Sequence, residues 1–452
     1  MTFPSKATHQ QTRAHNAALV LRALYDHSPI SRAQVARMSG LTRTTVGEVV
    51  GGLIDEGLAR EVGRGPSTGG KAPILLELID GARHVIGLDL GEFVFRAALV
   101  DLRGQVQRTI ERPVVGLDGE RSLQVVHELI DELSGHSRAT LLGIGVGTPG
   151  IVDAATGTIR WAVNLDWQDL PLGEILRTRH GVPVEVANDS RAAALAIELF
   201  SGSRHANLVA IKVGAGVGAG IILGGELFHG DGFGAGEIGH VVVDDDGAEC
   251  RCGRFGCLET VASSRAILRR ATEAAHADPE SPLGRRLALI EAEAAAAVAR
   301  ADGSSTTTPR DTREGGGNRT TNGADTTPNP GDGTTNGAAP AGLGLEDVRA
   351  AIEAGDEGAR RIVVTAGRFV GQAVAGLIGA LDVEHIVLHG SVAQLGEPWL
   401  EAVRDEARRR SLGLLSRDVE VALAAPIGDL VIMGASALLL TAELGLAAGR
   451  QA

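Results

Sequence analysis

Hydroxyl and basic side chains that could bind DNA cluster at one point near the N-terminus, in the sequence TRTT at residues 42–45. Thr42 is a typical N-cap residue, so a helix is predicted to begin with Arg43, Thr44 and Thr45 on its first turn. The rest of this helix carries an apolar stripe at helical spacing, formed by Val46, Val49, Val50, Leu53 and Ile54. A preceding short helix is predicted from the capping box Ser31-Arg-Ala-Gln34 to the turn at Gly40. Such a pair of helices is typical of proteins that insert the second helix into the major groove.

A second basic segment, GRGPSTGGKAP at residues 63–73, lies between two apolar runs. It predicts a β-hairpin wing from Arg60 to Ile79, on which Arg64 and Lys71 neutralise DNA phosphates. The predicted DNA-binding residues of this winged helix-turn-helix are Arg32, Arg43, Thr44, Thr45, Arg64 and Lys71. The alternative is a three-helix scaffold that binds another protein, but the basic wing favours DNA.

The charge distribution restricts any DNA binding to this N-terminal region. The whole chain of 452 residues has a formal charge of −13, whereas residues 1–80 hold nine Lys and Arg against seven Asp and Glu. This asymmetry excludes a uniformly basic coat for nucleic acid. The first sixteen residues lack an apolar run, and the apolar stretch at 430–442 is too short to span a bilayer. We therefore expect a cytoplasmic protein, associated with the nucleoid when it is bound to DNA.

The elements after residue 84 follow an α/β pattern in two similar halves. Buried strands are predicted at 85–91, 93–101, 105–115, 141–146 and 182–186, with helices at 123–133 and from 189 to about 201. The second half repeats the plan with a strand at 208–213, a glycine turn at 214–220 and strands at 221–223 and 386–388. The predicted domains are 1–80 (winged helix-turn-helix), 81–200 (first lobe) and 201–452 (second lobe).

One segment, at residues 299–342, cannot belong to a core. It contains no Val, Ile, Leu, Met, Phe, Trp, Tyr or Cys and consists mainly of Gly, Thr, Ala, Pro and Asn. Such a composition buries too little apolar surface to offset the entropy of ordering the chain. We predict a disordered insertion in a surface loop.

Four motifs make the body of the chain resemble the ROK family of bacterial repressors and sugar kinases. They are GIGVGTPGIVD (143–153), VANDSRAAALA (186–196), GAGVGAGIILGGELFHGDGFGAGEIGH (214–240) and CRCGRFGCLET (250–260). The resemblance covers nearly the whole chain except the 299–342 insertion. It implies a two-lobed actin-like sugar-kinase fold of the ribonuclease H-like type, and the N-terminal helix-turn-helix is typical of the family's regulator branch.

The resemblance also implies a metal site and a sugar site. Three cysteines and a histidine resemble the family's structural zinc site: His240, Cys250, Cys252 and Cys257. The alternative is three reduced thiols, because three cysteines within eight residues do not form a disulfide framework. The implied sugar-binding residues are Asn188, Asp189, Glu237, His240 and Glu259. Zinc on one ring nitrogen of His240 would orient the other nitrogen towards the sugar.

The turns that would bind a nucleotide differ in sequence from those of the kinases of this family, which have Asp-x-Gly-Gly-Thr-Lys at the first phosphate-binding turn. Here Asp89 and Gly91 remain, but Glu92, Phe93 and Val94 replace the glycine, the hydroxyl and the basic residue. A carboxylate at this turn would repel ATP phosphates. Ala215 replaces a threonine in the second glycine turn, and His389 replaces a glycine in the turn on the adenosine side. We therefore expect no ATP binding and no enzymatic activity.

The leading hypothesis is a sugar-responsive, DNA-binding transcriptional regulator that represses genes of carbohydrate uptake or catabolism. Its partners would be operator DNA, a monosaccharide or derivative as effector, and further copies of the chain in a homodimer or homotetramer. Release from DNA by sugar and corepression by sugar have the same sequence signature. One alternative is an ATP-dependent, glucokinase-like sugar kinase with a fused helix-turn-helix, in which Asp189 is the general base. Another is a sugar-binding protein whose N-terminal domain docks a protein.

Overall fold

The fold is mixed α/β, and the structure, a computed structural model, describes residues 9–66, 72–117, 119–201, 205–303, 342–426 and 428–445. The helices are α1 (His9–His27), α2 (Arg32–Ser39), α3 (Arg43–Asp55), α4 (Gly119–His136), α5 (Leu172–His180), α6 (Asp189–Phe200), α7 (Leu258–Ala262), α8 (Ser264–Ala277), α9 (Pro282–Gly303), α10 (Leu345–Glu353), α11 (Glu357–Leu381), α12 (Glu397–Arg410) and α13 (Leu430–Leu444). The strands are β1 (Ile30–Ser31), β2 (Ala59–Arg64), β3 (Ile74–Leu78), β4 (Arg83–Leu90), β5 (Val94–Asp101), β6 (Val106–Pro113), β7 (Thr140–Thr148), β8 (Ile151–Asp153), β9 (Thr158–Ala162), β10 (Trp167–Leu170), β11 (Val184–Asn188), β12 (Leu208–Val213), β13 (Val217–Leu223), β14 (Glu226–Leu227), β15 (His385–His389) and β16 (Glu420–Leu423). The chain forms two compact units: Met1–Ile267 with Val363–Ala452, and Leu268–Ile362.

The N-terminal part of the first unit contains the predicted helix-turn-helix. Ser31 caps α2 through a complete capping box with Gln34, and the helix ends at Gly40, whose φ of 69° is left-handed. Thr42 then caps α3 by accepting a hydrogen bond of 3.2 Å from the backbone of Thr45. Strands β1, β3 and β2 form an antiparallel sheet in which β2 and β3 are the predicted wing. These elements pack together because α1 and α3 bury aliphatic stripes against β3.

Two five-stranded sheets form the body of the first unit, and they share one topology. The first sheet has the order β6-β5-β4-β7-β11, and the second sheet has the order β14-β13-β12-β15-β16. In each, three antiparallel strands are followed by two strands parallel to the first strand of the meander. The predicted repetition of one α/β plan is therefore confirmed. Ligands bind beyond the carboxyl ends of parallel strands. In each sheet, a ligand site is therefore expected at the carboxyl ends of the parallel strands.

Helices α6 and α13 pack between the sheets, and glycines make this close stacking possible. A Cβ at Gly145 of β7 would lie 2.0 Å from the carbonyl oxygen of Ala435 on α13. A Cβ at Gly434 of α13 would lie 1.7 Å from the carbonyl oxygen of Ala192 on α6, and glycines of β13 admit the other side of α6. The glycine-rich motifs of the sequence thus serve backbone packing between layers.

The end of α13 also enters the hydrophobic core of the N-terminal region. Leu439 and Leu440 are buried in one cluster with α1, α3 and β3, together with Val85 of β4 and Leu102 after β5. Arg103 continues this contact, because its guanidinium lies 4.6 Å from the ring centroid of Tyr25 on α1. The N-terminal region and the first sheet therefore share a core.

Two sequence predictions need correction. The predicted turn at 214–220 is too long, because β13 begins at Val217 and its glycines lie in the strand, where a side chain at Gly220 would meet the backbone of Ser190 at 2.3 Å. Helix α9 extends to Gly303, so the first five residues of the predicted insertion are helical. Residues 304–341 of the predicted disordered segment lie outside the described residues. The domain boundaries at 80 and 200 stay predictions.

The second unit consists of helical segments joined by polar contacts. Asp356 is 7% exposed and caps two helix starts, accepting hydrogen bonds from the backbone of Leu283 at 3.1 Å and of Ala359 at 2.9 Å. Arg286 of α9 pairs with Asp347 of α10 at 2.6 Å. These contacts order α9 and α10 on either side of the predicted insertion.

Helix α11 is, among the described helices, the one long and apolar enough to cross a membrane by length and composition, and 44% of its most apolar window is buried. Its buried side chains recur along one face, at Val363, Ala366, Val370, Val374 and Ile378. Gly367 and Gly371 face α12 so closely that a Cβ would lie 2.7 and 2.5 Å from its carbonyl oxygens. This one-sided packing is typical of an amphipathic helix that packs one face against the core of a globular fold.

Candidate functional site

A cavity of about 360 Å³ opens at the carboxyl ends of the central strands of the first unit. Its wall includes the turn after β4, the turn after β7, the start of α6, the glycine turn between β12 and β13, and the loop that contains the cysteines. The structure brings together all five residues that the sequence analysis assigned to sugar binding: Asn188, Asp189, Glu237, His240 and Glu259. The cavity also contains side chains that the sequence analysis did not select.

Asn188 positions the cavity wall through backbone contacts. As the N-cap of α6, its Oδ1 accepts hydrogen bonds from the backbone of Ser190 at 2.9 Å and of Arg191 at 3.3 Å. Its Nδ2 donates to the carbonyl of Gly150 at 3.0 Å, which ties α6 to the Gly-Thr-Pro-Gly turn. The side chain is thus fixed by the fold before any ligand arrives.

Asp189 forms an ion pair with a lysine at the bottom of the cavity. The Nζ atom of Lys212, near the end of β12, lies 2.6 Å from Oδ2 of Asp189, and these side chains are 25% and 14% exposed. Burial alone would lower the pKa of Lys212, but Asp189, Asp89 and Asp429 outweigh it and raise the pKa to about 12. The ammonium therefore stays charged and neutralises Asp189.

Asp89 belongs to the same charge cluster. Burial raises the pKa of Asp89 to about 6, although Lys212 and Arg96 act in the opposite direction. Arg96 lies 3.3 Å from Asp89 and 3.3 Å from Asp429, so two cations face three carboxylates. Beside Lys212 on the neighbouring strand, burial lowers the pKa of His389 to about 3, so this ring is neutral.

Glu237 and Glu259 provide further carboxylates in the cavity. Burial, with a contribution from Asp189, raises the pKa of Glu237 to about 7. Arg191 of α6 holds the segment before Glu237 by donating to the carbonyls of Phe233 and Ala235. Glu259 accepts a hydrogen bond of 3.2 Å from the backbone of Val217. Carboxylates next to backbone donors and a cation suit a polyol, because each hydroxyl both donates and accepts.

The four predicted metal ligands form one group whose ligand atoms lie within 4.8 Å of one another: His240, Cys250, Cys252 and Cys257. A tetrahedral zinc ion with Zn–S of about 2.3 Å would separate two sulfur ligands by about 3.8 Å. The Sγ atoms of Cys252 and Cys257 are 3.7 Å apart, and Sγ of Cys250 lies 3.6 Å from Nδ1 of His240. The group can therefore hold a metal ion, with His240 also lining the cavity.

Glu92 lies in the turn after β4 and lines the cavity. Its Oε1 lies 2.8 Å from Nη1 of Arg251 and 2.7 Å from Nη1 of Arg265. Arg265 also donates to the carbonyl of Ala215 at 2.9 and 3.1 Å. Phe93 is 49% exposed. The turn is thus closed by an internal ion-pair cluster.

The predicted DNA-binding residues lie on α2, α3 and the wing, and the structure describes five of the six. Arg43, Thr44 and Arg64 are exposed. Thr45 is half-buried and its hydroxyl contacts that of Thr42 at 2.9 Å, whereas Arg32 pairs with Glu61 of the wing at 2.9 Å. Lys71 lies outside the described residues. The hydroxyl and basic side chains at the start of α3 therefore face outward.

Sequence reasoning missed several charged residues in or beside the site, among them Arg191, Lys212, Arg251 and Arg265. A lysine inside an otherwise apolar strand, in LVAIKV, is the one local signal that could have identified Lys212. The arginines have no such signal, because their partners are distant in sequence.

Three comparisons place the chain among known proteins. A putative xylose repressor from Caldicellulosiruptor is 37% identical over 267 residues, which is 58% of this chain and 66% of that protein, just under two thirds of its length. A glucokinase from Halalkalibacterium halodurans is 31% identical over 82% of this chain and 98% of that enzyme. The chain is also similar to the crystal structure of a ROK family transcriptional regulator, a homologue of the E. coli MLC protein, with a TM-score of 0.73 at 24% identity. The match covers 96% of this chain and 98% of the regulator's chain. The ROK family profile matches residues 85–442, and the chain therefore belongs to the ROK family.

Proposed function

We propose that this protein is a sugar-responsive, DNA-binding transcriptional regulator, a repressor of genes for carbohydrate uptake or catabolism. One observation carries the proposal: helices α6 and α13 connect the polar cavity with the core of the helix-turn-helix region. Asn188 caps α6, α6 packs on α13, and Leu439 and Leu440 of α13 are buried against α1 and α3. A ligand that shifts the start of α6 thus acts on a packed path to the DNA-binding helices. The match to a xylose repressor agrees with this assignment.

DNA binding is assigned to the exposed start of α3 and to the wing. Arg43 and Thr44 would contact base edges, while Arg64 and Lys71 would neutralise phosphates. A homodimer would place two copies of α3 in successive major grooves about 34 Å apart on an operator. Arg32 is held by Glu61, so we assign it to fixing the wing relative to α2 and to a phosphate contact when that pair opens.

The effector site is assigned to the cavity in the first unit. Asn188, Asp189, Glu237 and Glu259 would bind sugar hydroxyls, and His240 would do so with its second ring nitrogen while the first binds zinc. Zinc would have a structural role, because three thiolates and one imidazole leave no open coordination position. Sugar binding between the sheets changes DNA affinity only if the two states of the protein bind the sugar differently. Both binding steps would take place in the cytoplasm.

A sugar kinase is the second candidate, since the match to a glucokinase covers 98% of that enzyme. In this function Asp189 would take the proton from the attacking sugar hydroxyl. Two features oppose it: Asp189 is already paired with Lys212, and Glu92 places a carboxylate at the phosphate turn. Sugar-dependent ADP release that disappears in Asp189→Asn would establish the kinase in place of the regulator.

The test is a DNA-binding titration with the zinc-loaded, full-length protein. Fluorescent DNA from upstream of its own gene and of neighbouring sugar-transport genes is titrated at one fixed salt concentration, with and without each member of a monosaccharide panel. We expect one operator to bind specifically and one sugar to change its Kd at least tenfold. Arg43→Ala should abolish specific binding, whereas Arg108→Ala, at an exposed position of β6, should not. Failure to bind any of these DNAs at low salt, where phosphate contacts are strongest, would refute the regulator.

A further inference from the structure

Glu92 and two arginines form a charged cluster apart from the residues assigned to bind sugar hydroxyls and metal, although Glu92 and Arg251 line the same cavity. The Glu92 side chain is 11% exposed and follows β4 of the first sheet. Arg251 lies in the cysteine loop, and Arg265 lies on the first turn of α8, after the strands β12 and β13 of the second sheet. One carboxylate therefore joins segments that follow different sheets.

The two guanidinium groups are held in place independently of Glu92. Nε and Nη2 of Arg265 both donate to the carbonyl of Ala215, at 3.1 and 2.9 Å. Nη1 of Arg251 also donates to Oδ1 of Asn164 at 2.7 Å. Because these anchors do not involve the carboxylate, the arginine pair is a preformed site for an anion.

The Glu92 carboxylate binds the two guanidinium groups with only one of its oxygens. Oε1 receives both guanidinium groups, whereas Oε2 is buried and has no hydrogen-bond partner among the described residues. A phosphate group offers three oxygens and more negative charge, so it would engage the same arginines better than a single carboxylate oxygen. A phosphate group would have to compete with Glu92, which is covalently part of the chain and is always present at the site.

We propose that Glu92 is the specificity-determining residue of the cavity: its carboxylate is an internal anion that occupies Arg251 and Arg265, ties the segments following the two sheets together, and excludes ligands that carry a phosphate. The inference rests on the proposed function only in taking the cavity as the effector site. The effector is then a neutral sugar that binds beside the Glu92 cluster. A phosphorylated sugar or a nucleotide would have to displace Glu92 from both arginines.

The experiment measures the binding of inorganic phosphate to the zinc-loaded, full-length protein without DNA. Calorimetric titrations with sodium phosphate, at an ionic strength held constant with sodium chloride, compare the wild type with Glu92→Ala and Glu92→Gln. We expect Glu92→Ala to bind phosphate at least tenfold more tightly than the wild type, and Glu92→Gln to lie between them. Arg265→Ala added to Glu92→Ala should abolish the gain. Glu111→Ala, which removes an exposed carboxylate of β6, is the matched control and should behave as the wild type.

A second comparison tests the exclusion with the effector itself. The sugar found in the DNA titration and its phosphate ester are titrated into the same proteins. The wild type should bind the neutral sugar at least tenfold more tightly than the ester, and Glu92→Ala should reduce or reverse this preference. Equal phosphate binding by wild type, Glu92→Ala and Glu92→Gln would overturn the proposal. The phosphate titration needs neither DNA nor an identified sugar, so a failure of the regulator assignment would appear separately, as absent operator binding with the phosphate result unchanged.

Discussion

The ion pair of Lys212 and Asp189 gives the most quantitative prediction. At a separation of 2.6 Å, two unit charges attract by about 6 kcal/mol with an effective dielectric constant of about 20. Desolvation of both largely buried groups cancels part of this attraction. We therefore expect the variants Lys212→Met and Asp189→Asn to have a coupling energy of about 3 kcal/mol in a double-mutant cycle.

The free energies of unfolding of the wild type, both single variants and the double variant would be measured by urea denaturation at pH 8 and pH 5, with tryptophan fluorescence as the signal. Lys212→Met should be the least stable at pH 8, because it removes the ion-pair partner of Asp189 and one of the two cations that face Asp89. At pH 5 the loss should be smaller: the pKa of Asp89 is already raised to about 6, and removal of a cation raises it further, so Asp89 is then neutral. If the double variant loses the sum of the single losses within about 0.5 kcal/mol, the charge-cluster reasoning is refuted.

Three further predictions concern the pH profile, the metal and the DNA contact. Asp89 ionises with a pKa of about 6 in the folded chain, above the usual 3.8. The protonated carboxyl therefore stabilises the fold fully below pH 4, and this stabilisation is lost by pH 7. In a pH series of urea titrations, Asp89→Asn should remove about 3 kcal/mol from the decline of the unfolding free energy between these pH values. Cys257→Ser, or chelation of the wild type, should lower the zinc content from one ion per chain and lower the Tm, as measured by elemental analysis and calorimetry; a zinc-free wild type with an unchanged Tm would contradict a structural ion. Arg43→Ala should abolish sequence discrimination between operator and unrelated DNA, and leave the slope of log affinity against log salt and the sugar affinity unchanged; a slope reduced by about one with discrimination retained would place Arg43 on a phosphate instead.

Local signals explain why the N-terminal elements could be predicted from the sequence to the residue. The Ser31–Gln34 capping box, the left-handed Gly40 and the Thr42 cap each involve residues at most three positions apart, and all three boundaries agree with the structure. Strands β4, β5, β6, β7, β12 and β15 were placed within a few residues, because apolar runs between turns mark buried strands.

The glycine run at 214–220 was misassigned because its physical reason lies elsewhere in the chain. A glycine-rich sequence is a turn signal when only its neighbours are considered. Here Gly218 and Gly220 lie in β13 and face Ser190 on α6. A Cβ at Gly218 would lie 2.6 Å from Oγ of Ser190, and a Cβ at Gly220 would lie 2.3 Å from its carbonyl oxygen. Packing between layers, which the local sequence does not contain, decides the boundary of the strand.

The charge clusters could likewise not be predicted from the sequence, although the carboxylate of Glu92 was predicted to repel phosphate. Glu92 and its partners Arg251 and Arg265 are 159 and 173 positions apart in the chain. The sequence analysis could predict that a carboxylate repels ATP, but the arginines that retain it become visible only when the fold brings both turns together. The same holds for Lys212, whose partner Asp189 lies on another strand–helix junction.

The two clusters together determine which ligand charge the cavity tolerates. Lys212 and Arg96 partly offset three carboxylates on one side, and Glu92 partly offsets two arginines on the other. A kinase cleft receives such countercharges from its metal ion and nucleotide, whereas here both are side chains of the protein. A metal–nucleotide complex would therefore duplicate charges that are already present, while a neutral polyol adds none. This complementarity is the physical reason to expect a chain that responds to a sugar without phosphorylating it.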